Sequence, residues 1–95
     1  MRTPRKPRSD PAGKLARNLT RCRRDARLSQ EELAKRAGLN RTQVSHLENG
    51  KRVPRLDTLV KLAGGLGVEP EELLRGMAWT PAKTWKGSFR IEESD

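Results

Sequence analysis

Two helix-start signatures, set eleven residues apart at Ser29 and Asn40, leave this chain few folds to choose from. In Ser29-Gln30-Glu31-Glu32 the Ser29 hydroxyl is placed to accept from the backbone N–H of Glu32, and the Glu32 carboxylate to accept from the N–H of Ser29. Asn40 and Gln43 repeat the box in a weaker form. The first of these helices carries Leu33, Ala34 and Ala37, and Gly38 offers the left-handed residue that ends it. The second carries Val44 and Leu47 and stops at Asn49-Gly50. With only Gly38-Leu39-Asn40 between them, the two have the length and composition of a helix-turn-helix.

Three more helices surround this pair. Asp10 reads as an N-cap with Pro11 at the first helical position, and Leu15, Leu19, Cys22 and Ala26 then mark one face of a helix running to about Ala26. After the basic loop Lys51-Arg52-Val53-Pro54-Arg55, the residues Leu56, Leu59, Val60, Leu62, Ala63 and Leu66 suggest a fourth helix. Gly64-Gly65 should weaken its end by roughly 1 kcal/mol per glycine relative to alanine. Glu69 and Pro70 open a short fifth helix through Leu73 and Leu74, ending at Gly76. The fold class is all-α: a five-helix bundle over 10–76, between a basic arm (1–9) and a C-terminal tail (77–95).

Charge narrows the partner. The chain has 21 Lys+Arg against 12 Asp+Glu, a net charge of +9. Residues 1–27 carry ten basic and two acidic side chains, 28–55 six and three, and 56–95 five and seven, so the balance runs +8, +3 and −2. A basic front half favours a polyanion. Only 33% of the residues are hydrophobic, low for a compact domain, which fits arms outside the core. The single cysteine, Cys22, excludes an intrachain disulfide and lies on an apolar face as a buried thiol, which suits a reducing cytoplasm. There is no apolar run of membrane-spanning length and no secretory signal. One histidine and one cysteine do not make a metal site. No phosphate-cradling loop or nucleophile–base set suggests an enzyme or a cofactor.

From about Leu19 to Leu74 the sequence resembles the phage-repressor type of helix-turn-helix, the Xre/Cro-like family. The matching words are Leu28-Ser29-Gln30-Glu31-Glu32-Leu33-Ala34, Ala37-Gly38-Leu39, Val44-Ser45-His46-Leu47-Glu48-Asn49-Gly50, Pro54-Arg55-Leu56-Asp57-Thr58-Leu59 and Leu66-Gly67-Val68. The resemblance implies a five-helix bundle that binds double-stranded DNA as a homodimer and regulates transcription on the nucleoid. Two positions depart from the pattern. Arg27 stands where the family often has glycine, and must turn left-handed or alter its turn. Arg55 stands where the family usually has a Ser or Thr cap.

Periodicity alone puts Arg41, Thr42, Ser45, His46 and Asn49 within an arc of roughly 140° on the helix, with Leu47 opposite. The resemblance makes Arg41, Thr42 and His46 base-reading residues, with Ser45 a fourth. Arg41 can give two parallel hydrogen bonds to guanine O6 and N7, and Thr42 can pack its methyl on thymine. Gln30, Asn49 and Lys51 are candidates for phosphate, as are Arg17, Arg21, Arg24 and Arg27, together with Arg2, Arg5, Lys6 and Arg8 of the arm. By the same resemblance Arg23 and Glu48 should form a buried ion pair fixing the recognition helix to the scaffold.

The tail holds all the aromatics of the chain, Trp79, Trp85 and Phe89. Ser88-Phe89-Arg90-Ile91-Glu92 alternates as a strand does, with Thr80-Pro81 and Lys86-Gly87 as turns around it. A lone strand leaves open edges, so Trp79, Trp85, Phe89 and Ile91 are expected at a two-fold dimer contact, against the alternatives of a lid on the chain's own core or a docking peptide for another protein. Three functional classes follow: a transcriptional repressor or autoregulator, an antitoxin or restriction controller that also binds a protein such as a toxin, and an interaction module that no longer reads DNA. The basic recognition helix argues against the last.

Overall fold

The computed structural model describes residues 10–83 and 86–92. Its elements run α1 (Pro11–Asp25), α2 (Gln30–Ala37), α3 (Arg41–Glu48), α4 (Leu56–Leu66), α5 (Pro70–Leu73), β1 (Met77–Thr80) and β2 (Ser88–Ile91). The all-α five-helix architecture is present, with a small hairpin appended. The arm lies outside the described residues.

Local chemistry sets the helix starts. Asp10 Oδ1 accepts from Gly13 N at 2.8 Å and opens α1. The Ser29 hydroxyl accepts from Glu32 N at 3.0 Å while Glu32 Oε1 accepts from Ser29 N at 2.9 Å. The α3 box has the same reciprocity, at 2.8 and 3.0 Å between Asn40 and Gln43. At α4 Arg55 makes no side-chain cap. Asp57 Oδ1 instead accepts from Thr58 N at 2.9 Å, within that helix's first turn.

Each of the five helices sends one apolar side chain to complete burial: Leu19, Leu33, Val44, Leu62 and Leu73 are all 0% exposed. Each such burial stabilises by about 1.5–3 kcal/mol relative to leaving the group in water. Cys22 joins this core, and burial pushes its thiol pKa up, which disfavours the thiolate. Gly65 does more than loosen α4. A β-carbon there would sit 3.2 Å from the Ala37 nitrogen and from Leu33 Cδ1, so α2 and α4 pack closely here. Arg36 Nε donates to Gly65 O at 2.6 Å across the same crossing. Leu56 and Val60, which the periodicity counts with the apolar residues of α4, instead face outward at 77% and 53% exposure, beside Val53 at 69%.

Polar groups tie α1 to the far end of the chain. Asn18 is fully buried, and its Nδ2 donates to Leu73 O at 3.0 Å and to Arg75 O at 2.9 Å. Lys14, also buried, packs beneath Gly76, whose φ is 82° and where any β-carbon would strike the lysine stem.

The tail corrects one expectation. The strand at Ser88–Ile91 is present but not alone: it pairs antiparallel with Met77–Thr80 of the same chain. Thr80 therefore ends a strand instead of starting a turn. The register sets Met77 opposite Ile91 and Trp79 opposite Phe89, so these four share one face. Met77 packs against the core at the inner end. Trp79 and Phe89 meet edge to face at 5.0 Å and stay about half exposed. Trp85 lies outside the described residues.

Candidate nucleic-acid interface

The exposed face of α3 is built from its buried one. Val44 and Leu47 are anchored in the core, which turns Arg41 and Thr42 fully outward and leaves Ser45 and His46 half-exposed. Asn49 is exposed at the end of the helix and donates to Ser45 Oγ at 3.5 Å, and Lys51 is exposed just beyond. A groove beside α3 is lined by Thr42 and His46 together with Arg52, Arg55 and Thr58. Arg52 and Arg55, from a loop that is plainly basic in sequence, thus lie beside the candidate base-reading face without having been singled out by the helical pattern.

The helix is held in place by charge. Arg23 Nε donates to Glu48 Oε2 at 2.6 Å and Arg23 Nη2 to Glu48 Oε1 at 3.0 Å, a bidentate pair with side chains 14% and 5% exposed. The hydrogen bond to Glu48 raises the Arg23 pKa above its ordinary value, which favours the cation. Arg23 Nη1 also donates to Leu28 O at 2.8 Å, and Gln30 Nε2 to Glu48 Oε1 at 3.2 Å. The Arg23–Glu48 pair therefore joins α1, the α1–α2 turn, the start of α2 and the end of α3. Its carboxylate also occupies part of the Gln30 amide that the sequence reading assigned to phosphate.

The basic row on α1 divides. Arg17, Arg21 and Arg24 line one groove with Thr20, Asp25 and Glu48. Arg21 is drawn toward α5, donating to Asn18 Oδ1 at 3.1 Å and lying 3.9 Å from Glu72. Arg24 and Arg27 are exposed. Among the described residues no group of His, Cys, Asp and Glu could hold a metal, and no helix is long and apolar enough to cross a membrane.

Two capped helices across a three-residue turn, the second presenting Arg41 and Thr42 to solvent, define a helix-turn-helix DNA-binding module. The chain matches the helix-turn-helix family over residues 19–73, more than half its length, and belongs to it. It is 42% identical over 67 residues to an uncharacterized HTH-type transcriptional regulator, y4dJ, of Sinorhizobium fredii, covering 70% of this chain and 87% of that protein. It is 45% identical over 47 residues to the control protein C.BamHI of Bacillus amyloliquefaciens, covering 50% of this chain and 58% of that protein. The crystal structure of the restriction-modification controller C.AhdI from Aeromonas hydrophila superposes with a TM-score of 0.62 at 42% identity, covering 63% of this chain and 91% of the other.

Proposed function

We propose that this transcriptional regulator binds double-stranded DNA sequence-specifically, inserting α3 into the major groove as a repressor or autoregulator on the cytoplasmic nucleoid. The observation that carries this reading is the two-sided build of α3, with Val44 and Leu47 buried and Arg41 and Thr42 exposed. Arg41 reads guanine, Thr42, Ser45 and His46 contact neighbouring bases, and Gln30, Asn49 and Lys51 hold phosphates. Selection of duplexes from a random pool, followed by footprinting, tests this. Arg41→Ala should cost about 1–3 kcal/mol on the selected site and far less on random DNA. No enriched sequence, or equal losses on both DNAs, overturns it.

The same protein acts as a homodimer. Val53, in the loop after α3, and Leu56 and Val60, one turn apart on α4, are exposed apolar side chains that suit such a contact. A two-fold dimer of such a module suits half-sites about 34 Å apart, one DNA turn. Leu56→Asp with Val60→Asp should give a folded monomer in sedimentation; a persistent dimer refutes this face. The likeness to C.BamHI and C.AhdI favours a second reading, a restriction controller. An antitoxin role would need a surface for its toxin, and the exposed Trp79–Phe89 pair is the one such a partner would use. A restriction or toxin gene beside the coding sequence would decide between the readings.

A further inference from the structure

Four helices of this molecule end in the same way. After α1, Arg27 N donates to Arg24 O at 3.0 Å and Leu28 N to Arg23 O at 3.1 Å; after α2, Gly38 reaches Lys35 at 3.3 Å and Leu39 reaches Ala34 at 2.8 Å. After α3 the pairs are Gly50 to Leu47 at 3.2 Å and Lys51 to His46 at 3.1 Å, and after α4 Gly67 to Gly64 at 3.2 Å and Val68 to Ala63 at 3.0 Å. This paired closure needs a left-handed residue at its centre. Glycine supplies it at three ends, with φ of 67°, 71° and 74°, and Arg27 at the fourth, with φ 58°. Among the described residues Arg27 is the one non-glycine with positive φ. A β-carbon crowds the following carbonyl in that region, so arginine is the strained choice where glycine is the relaxed one.

The turn does not need the Arg27 side chain. Arg23 already holds the Leu28 carbonyl, and Leu28 packs against the core. The Arg27 side chain is exposed, and among the described residues its guanidinium makes no hydrogen bond or ion pair. The turn is nevertheless rigidly aimed. Arg23 before it and Gln30 after it both bond Glu48, the last residue of α3, so Arg27 projects from a segment registered to the recognition helix. Arg24, exposed one turn earlier, adds a second cation on that segment.

We infer that Arg27 is kept in a strained backbone conformation for its charge, as a DNA-phosphate-binding residue that adds affinity without sequence choice at the expense of domain stability. This rests on the DNA-binding reading above and gives it a residue whose stability and binding effects have opposite signs.

The test uses the full chain and a random-sequence duplex, so no operator need be known. Arg27→Gly should raise the melting temperature by about 4 °C, since relief of strain is partly offset by glycine's freedom in the unfolded chain. The same change should weaken duplex binding about three- to fivefold and flatten the slope of log K against log salt by about 0.9. Arg27→Lys should keep the slope without the gain in melting temperature. An Arg27→Gly protein that binds with unchanged affinity and slope, or that melts lower, overturns the inference while leaving the DNA-binding reading standing. A wild-type chain that binds no duplex removes both.

Discussion

The α1–α3 junction and the β1–β2 hairpin break the usual burial rule in opposite directions. At the junction two charged side chains, Arg23 and Glu48, lie 14% and 5% exposed, while on the hairpin two aromatic rings, Trp79 and Phe89, lie 54% and 55% exposed. The junction's charges are fully paired, and a buried pair of this kind is seldom more stable than a well-packed apolar replacement. What it supplies is direction: a planar, five-donor group sets the Glu48 end of α3 at one angle to α1. The hairpin has no such constraint. Its apolar face starts in the core at Met77 and continues into water at Trp79. In the first region polar groups specify an orientation; in the second an apolar surface stays available.

The largest effect should come from breaking the junction. Glu48→Ala leaves a largely buried guanidinium without its carboxylate and should cost up to about 3 kcal/mol in urea unfolding. Arg23→Met with Glu48→Leu should recover most of that stability and still bind duplex DNA poorly, because packing returns and orientation does not. A double variant that binds as well as wild type would show that the pair does not aim the helix. Next come the adjacent glycines of α4. Gly65→Ala must push Ala37 and Leu33 aside, at a cost of about 1–3 kcal/mol. Gly64→Ala meets nothing within 4 Å and should stabilise by up to about 1 kcal/mol. Equal effects would mean the bundle is less tightly packed than the contrast with the hairpin requires.

Smaller still is Trp79→Ala, which removes an edge-to-face contact worth about 0.5–1.5 kcal/mol. A loss as large as that of Glu48→Ala would make the hairpin part of the core and erase the contrast. The smallest effect lies at the α2 cap. The backbone N–H of Ser29 holds the Glu32 carboxyl below the usual glutamate range. Because the folded pKa is the lower one, this contribution is full above the unfolded value and lost as pH falls through the folded value. The melting-temperature gap between wild type and Glu32→Gln should therefore close on acidification; a gap that persists at low pH would assign it to something other than ionisation.

The helix starts and the turn were legible because they rest on neighbours in sequence. Asp10, Ser29 and Asn40 each cap a backbone group three residues ahead, and Gly38 closes its own helix. Groups whose meaning depends on distant chain were harder to read. Gly65 looks like a flaw in a helix until α2 is laid across it. Leu56 and Val60 share the spacing of core residues yet face out. Met77–Thr80 has too little alternation to announce a strand, and only its partner at Ser88–Ile91 makes it one. The polar face of α3 followed from helical geometry, whereas the Glu48 claim on the Gln30 amide and the placement of Arg52 and Arg55 beside His46 needed three dimensions.

Asn18 also imposes an order of events. Its amide is sealed inside the domain, and the two carbonyls that satisfy it belong to Leu73 and Arg75, 55 and 57 residues later. A nascent chain that has emerged only as far as α4 already holds the recognition helix, yet must leave a polar group on α1 open to water or unpaired. At synthesis rates of about 5–20 residues per second, α5 follows α4 within seconds. Until then the emerging chain has α3 without the segment that closes the scaffold behind it. The scaffold behind α3 is thus completed only when Leu73 and Arg75 arrive.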